Sequence, residues 1–236
     1  MTEEYYRKTV SNKIHKSYQK MKDNESWILN VHAIKDPDKA KELIMQLESS
    51  GKDPDLNERN SLIAIFGMTT GMRIADILSL RVNEIYQKGK IVDSFKHVDI
   101  KTKHTRQKRK AHTIYLRSKA LRRRLLHYIK NRKSKSVWLF PAKNTKSKKS
   151  KRYIPLSANR YYHILNGAAH RVGIESSVGT HTLRKTFGYW FYQHGGSLAY
   201  LQDLFNHSNS QITIRYIDLQ EQEITQQLDK MFSATN

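Results

Sequence analysis

Between Lys88 and Leu116 the spacing of apolar residues changes from three or four to two, and that change limits the architectures open to the chain. The runs KIVDSF, HVDIKTKH and RKAHTIYL are short, β-rich and separated by charged turn candidates. They predict a small antiparallel sheet with a hairpin tip at about Thr105 to Arg109. On either side the period is helical. The fold class expected is therefore mixed α/β, mainly helical, with a small antiparallel β-sheet.

The helical segments carry their own punctuation. DPDKAKELIMQLESS offers Asp36 or Asp38 as N-cap, an apolar stripe of Ala40, Leu43, Ile44 and Leu47, and Gly51 as a stop. Asp53-Pro54 reads as the start of a loop. From Asn57 a buried helix (Leu62, Ile63, Ile65, Phe66) runs to a turn at Thr69, Thr70 and Gly71, and a second helix with Ile74, Ile77 and Leu78 starts near Arg73. After the sheet, SKALRRRLLHYIKNRK turns Leu121, Leu125, Leu126 and Ile129 inward and leaves a strongly basic outer face; VWLFP ends that unit. KNTKSKKSKRY is a low-complexity basic loop, and Ile154 to Ser157 opens a further helix with Ser157 as cap and Gly173 as stop. In that helix Tyr161, Tyr162 and His163 are expected to pack in the core or face a groove. With 236 residues, 38% of them hydrophobic, one sizeable core is expected.

Charge is distributed unevenly. From Ile100 through Ile174 there is no Asp or Glu, against 23 Lys and Arg, while 11 of the 21 acids lie before residue 60. A solvated surface normally mixes both signs, so the excess points to a polyanionic partner, most commonly nucleic acid. On charge alone a ribosomal-type RNA binder or a polybasic membrane patch stays open. No apolar run approaches the roughly 20 residues of a membrane span, and MTEEYYRKTV lacks a signal-peptide core, so a cytoplasmic protein is expected. The absence of cysteine removes disulfides, thiolate metal sites and thiol nucleophiles, and no clustered His and carboxylate set suggests a metal.

The stretch Thr180 to Ile217 collects His181, Arg184, His207 and Tyr216. His181 and Arg184 are three residues apart, which puts them on one helical face; Phe187, Trp190 and Phe191 recur at helical spacing and are expected to give that helix its buried side. Taken singly, each of these residues is ordinarily a surface or packing residue. Taken together, His-x-x-Arg, then Leu-Phe-Asn-His-Ser-Asn, then Thr-Ile-Arg-Tyr ending nine residues after the second His, resemble the C-terminal signature of the tyrosine recombinase (phage integrase) family. Thr-Gly-Met-Arg-Ile-x-Asp-Ile-Leu-x-Leu around Arg73 resembles that family's first arginine motif, with Asp76 as the acid that commonly braces the site. The resemblance covers roughly residues 33 to 220. It implies a catalytic domain over 33–220, a short N-terminal arm or helix over 1–32, and a helical tail over 221–236. The tail carries Ile224, Leu228, Met231 and Phe232 and packs either in cis or on an adjacent protomer.

The same resemblance implies roles. Arg73 and Arg184 would clamp the scissile phosphate, since a guanidinium is planar and stays protonated. His181 would act as base for Tyr216, whose phenol ordinarily has a pKa of about 10, and His207 would donate to the phosphate. A hairpin lysine, Lys101 first and Lys103 second, would protonate the departing 5′ oxygen. Lys103, Arg106, Lys108 and Arg109 on the hairpin, with Lys148, Lys149, Lys151 and Arg152 on the later loop, are expected to meet DNA. The expected activity is site-specific cleavage and rejoining of double-stranded DNA through a 3′-phosphotyrosyl link, with no cofactor, metal or ATP. A synaptic tetramer and an accessory DNA-binding protein are expected partners. The rivals are a relaxing topoisomerase of type IB chemistry and a DNA-binding protein that no longer cleaves. Departures from the family pattern are Asn206 where Gly is usual, Lys185 where His is frequent, and about 32 residues where most members carry a helical core-binding domain of about a hundred.

Overall fold

Two aspartates open the first helices of the domain. A computed structural model describes residues 31–98, 111–146, 153–174, 177–220 and 223 of the protein. Asp36 accepts from the amides of Asp38 and Lys39 and starts α1, Pro37–Ser49. Asp53 accepts from the Asp55 amide and starts α2, Pro54–Thr70. The pair Asp53-Pro54, expected to begin a loop, thus begins a helix. Proline lacks only an N–H that would be unpaired at the first helical position, and its φ already suits the helix.

Short helices α3 (Ile74–Leu78) and α4 (Val82–Ile85) follow, then strands β1 (Tyr86–Gln87), β2 (Lys90–Ile91), β3 (Ser94–Val98) and β4 (Ala111–Tyr115). Next come α5 (Lys119–Asn131), β5 (Pro141–Lys146), β6 (Tyr153–Pro155), α6 (Ala158–Arg171), α7 (Thr182–Gln193), α8 (Leu198–Phe205) and α9 (Ser210–Tyr216). Helix α2 is the hub. Leu62, Ile63, Ala64 and Phe66 are fully buried, and α1, α5, α6 and α7 all pack on it. A helix apolar on nearly every side has no solvent face to present. Two of its buried polar residues are bridged: Arg59 donates to Asn60 Oδ1 and to the Pro141 carbonyl at 2.7 Å, and Tyr161 Oη donates to the Asn60 carbonyl at 3.0 Å.

The sheet expected between Lys88 and Leu116 is divided into two pairs, and a third pair follows later in the chain. Among the described residues β1 pairs with β2, β3 with β4, and β5 with β6, all antiparallel. The run KIVDSF is split because the chain turns at Asp93, whose carbonyl accepts from Leu116 N at 2.8 Å. The stretch read as a basic loop begins and ends in strands, since residues 141–146 pair with 153–155. The β3–β4 register sets Phe95 opposite Ile114 and His97 opposite His112, with alternate residues inward. The hairpin tip, with Lys101, Lys103, Arg106, Lys108 and Arg109, lies outside the described residues, as do Lys148, Lys149, Lys151 and Arg152. So do the N-terminal arm up to residue 30 and Ile224, Leu228, Met231 and Phe232.

Two further expectations gain detail from the structure. The basic face of α5 is partly engaged within the chain, since Arg122 pairs with Asp93 and Arg124 with Glu48, and just past its end Arg132 donates to the Trp138 and Leu139 carbonyls. On α6, Tyr161 is in the core, but His163 is exposed. No helix among the described residues is long and apolar enough to cross a membrane.

Gly71 ends α2 in the left-handed conformation, φ 67°, and its amide returns to the Gly67 carbonyl. A Cβ there would overlap the Phe187 ring. Gly71→Ala is therefore expected to lower unfolding free energy by about 2–4 kcal/mol, combining left-handed strain with overpacking, as read by urea denaturation.

Candidate active site

Helix α8 ends at a left-handed residue, and its last turn organises the candidate site. Asn206 has φ 56°; its amide donates to the Asp203 carbonyl and that of His207 to the Gln202 carbonyl, both at 3.0 Å. This paired closure satisfies two of the carbonyls that every helix leaves free at its C-terminus. The next two carbonyls take arginines. Arg184 Nη2 donates to the Leu204 carbonyl at 3.1 Å, and Arg73 Nη2 donates to the Phe205 carbonyl at 3.1 Å. The negative end of the helix dipole favours cations at this position. Asn in place of the usual Gly is thereby accounted for, because Asn is among the few side chains tolerated at such φ.

Arg184 is fixed from a second side as well, and Arg73 is placed by the backbone. Arg184, 3% exposed, donates through Nη1 to the Gly71 carbonyl at 2.5 Å and stacks on the Phe205 ring, 4.3 Å from its centroid. Arg73 is the residue from which α3 starts, so the turn at Gly71 and the first residue of that helix deliver it. Within α3, Asp76, 1% exposed, has Oδ1 3.1 Å from His97 Nε2. Asp76 thus links α3 to strand β3.

His181 lies at the entry to α7 and Tyr216 is the last residue of α9. His181 Nδ1 is 3.1 Å from Tyr216 Oη. In the tautomer with Nδ1 unprotonated, the phenol donates a hydrogen bond to the imidazole, the geometry a general base requires. The Tyr216 ring also meets Phe205 edge-on at 5.2 Å and His207 at 5.0 Å between centroids. His207 Nδ1 is 3.1 Å from Thr213 Oγ1. Burial, then the Arg184 and Arg73 charges, push the His207 imidazole down to about 4. It is therefore neutral near pH 7 in the free protein, with the hydrogen bond to Thr213 fixing its ring.

Five of the six residues expected to act in catalysis are thus described, and their contacts interlock around Phe205 and Tyr216; Lys101 lies outside the described residues. The buried side of α7 differs from expectation. Phe187, Trp190 and Phe191 are only half-buried, whereas Thr182, Leu183, Arg184, Lys185 and Thr186 are buried. The helix crosses the interior and its polar residues face partners: Gly179 N donates to Thr182 Oγ1 at 3.1 Å and Ile34 N to Thr186 Oγ1 at 2.9 Å. Residues missed in the sequence are Thr213, His97 and the pair Lys185–Asp218, whose Nζ and Oδ1 are 3.1 Å apart. An acid two positions after the tyrosine was the available signal for the last. Among the described residues no group of three or more His, Asp or Glu side chains converges to hold a metal ion.

Residues 36–223 match the sequence profile of the phage integrase family. A Bacillus subtilis (strain 168) protein named "Probable integrase/recombinase YoeC" is 37% identical over 178 residues, which cover 75% of this chain and 87% of that one. Among solved structures, the XerA recombinase superposes with a TM-score of 0.60 at 17% identity, covering 83% of this chain and 62% of that one. The catalytic domain of bacteriophage HP1 integrase gives 0.51 at 20% identity, covering 84% and 94%. At these identities the two structures establish the fold.

Because the folded value of His207 lies below its ordinary 6.5, the unfolded chain binds the proton first as pH falls. The stability this residue contributes is present above about pH 6.5 and lost on the way down to about pH 4. His207→Gln is expected to flatten that part of the acid limb in urea denaturations run as a pH series.

Proposed function

The chain belongs to the phage integrase family, and from that premise we propose that it is a site-specific recombinase that cuts and rejoins double-stranded DNA through Tyr216. The observation that carries this reading is the 3.1 Å approach of His181 Nδ1 to Tyr216 Oη beside two arginines anchored on one helix end. Phosphoryl transfer needs a nucleophile relieved of its proton and fixed positive charge where the nonbridging oxygens gain negative charge. His181 meets the first requirement. Arg73 and Arg184 meet the second, each with a planar guanidinium that stays protonated beside a phosphate.

In this reading Tyr216 Oη attacks the scissile phosphorus as its proton passes to His181. The 5′ oxygen leaves with a proton from a hairpin lysine, Lys101 or Lys103, and a 3′-phosphotyrosyl link remains. His207 donates to the phosphate through the ring nitrogen not facing Thr213. A free 5′ hydroxyl of another strand then attacks the link and releases the tyrosine. The bond energy is kept in the ester, so the cycle draws on no ATP, and in this reading the arginines supply the positive charge that a metal would otherwise bring. Strand exchange takes that hydroxyl from a second duplex, so a tetramer on paired sites is the assembly proposed. The acid-free span from Ile100 to Ile174 supplies the charge for the backbone, with Lys103, Arg106, Lys108, Arg109, Lys148, Lys149, Lys151 and Arg152 as the DNA-contacting set. We assign the protein to the cytoplasm, with its substrate.

The test is incubation with nicked suicide duplexes carrying candidate sites, in the presence of chelator, followed by denaturing gels. Wild type is expected to form a covalent adduct and Tyr216→Phe none, with DNA affinity retained. Arg73→Lys and Arg184→Lys are expected to slow adduct formation by about 10²-fold or more. An adduct surviving in Tyr216→Phe would overturn the nucleophile. Binding without any adduct by wild type would favour a non-cleaving binder, and relaxation without strand exchange would favour a topoisomerase.

A further inference from the structure

Lys185 has no part in the chemistry above, yet it is buried, 5% exposed, immediately after Arg184 on α7. Its Nζ lies 3.1 Å from Asp218 Oδ1 and 5.5 Å from the centroid of the Tyr216 ring. Asp218 is two residues beyond the tyrosine and stands in the left-handed conformation, φ 58°. Around it α9 closes as α8 does: Asp218 N donates to the Arg215 carbonyl and Leu219 N to the Ile214 carbonyl, both at 3.3 Å. Glycine is the usual residue at such a closure, so an acid there carries backbone strain that its surroundings must hold. They do so through both carboxylate oxygens. Oδ1 takes the Lys185 ammonium, and Oδ2 accepts from the Ala33 amide at 2.7 Å, with His32 Nδ1 3.7 Å away.

We propose that the Lys185–Asp218 ion pair is a positioning element for Tyr216, fixing where α9 stops and so holding the phenol against His181. The proposal rests on Tyr216 being the nucleophile. Lys185 ties the closure to the helix that carries His181 and Arg184, and Ala33 ties it to the segment that enters α1. Neither Lys185 nor Asp218 exchanges a proton with the substrate in this role. Loss of the pair would leave DNA contacts untouched and let the tyrosine drift from its base, where a displacement of about 1 Å is enough to slow a reaction by about 10²-fold.

The test compares Lys185→Met, Asp218→Asn and the double variant in single-turnover cleavage of a suicide duplex at saturating protein. Asn is chosen because it tolerates the left-handed backbone. Each single variant is expected to cleave about tenfold or more slowly with DNA affinity within about threefold, and the double variant no slower than the slower single one. Unchanged cleavage, or a double loss equal to the product of the single losses, would overturn the proposal. If a single variant fails to melt cooperatively, the double variant, which leaves no lone buried charge, takes the measurement: slowed cleavage at retained affinity supports the pair and wild-type cleavage overturns it. If wild type itself forms no adduct, the functional reading fails, and amide hydrogen exchange in the free protein decides the pair. Asp218→Asn is then expected to speed exchange at Ala33, Asp218 and Leu219 about tenfold or more relative to α2. Unchanged exchange would overturn it.

Discussion

Carbonyl groups at the end of one helix hold the two arginines of the candidate site. A helix C-terminus leaves four carbonyls without intrahelical partners, and α8 closes two with the amides of Asn206 and His207 and gives the next two to Arg184 and Arg73. One structural need therefore places three side chains of the candidate site, since the amide that completes the closure is that of His207. The arginines come from distant parts of the chain and would repel one another if brought together unaided. The dipole of α8 and the Phe205 ring under Arg184 offset that repulsion before any phosphate arrives.

The second constraint is the burial of α7. A helix that passes through the interior with Thr182, Arg184, Lys185 and Thr186 buried must find a partner for each, because an unpaired buried polar group costs about 1–3 kcal/mol and a charge more. The partners come from the 177–181 turn, the α2 turn, α8, the segment after α9 and the segment before α1. Satisfying one helix thus knits together the pieces that carry His181, Arg73 and Tyr216. Positional precision at the site follows from hydrogen-bond satisfaction in the core.

Much of this was legible in the sequence, and what was not has physical reasons. The caps at Asp36 and Ser157, the αL stop at Gly71 and the position of Arg73 at a helix entry follow from local rules that act within a turn. His181, Arg184, His207 and Tyr216 were legible as a motif, by resemblance. Their mutual distances were not, since those depend on α8 and α9 closing as they do. Asp53-Pro54 was misread because the same dipeptide suits a loop and a helix start, and only the packing of α2 decides. The buried face of α7 was misread because aromatic spacing outweighed a polar row whose partners lie far away in sequence. The split of the sheet at Asp93 turns on where Leu116 pairs, a non-local event.

The bond from the Ala33 amide to the Asp218 carboxylate spans 185 positions of sequence, and that from Lys35 to Glu223 spans 188. Contacts of such separation come last when a chain is made from its N-terminus, for the acceptor does not exist until nearly the whole domain has been synthesised. The segment entering α1 waits on the ribosome with its amide unmet. Its partners are the residues that follow Tyr216, so the register of the tyrosine is completed only when the domain is. A partly made chain, however basic, does not yet hold Tyr216 seated against His181.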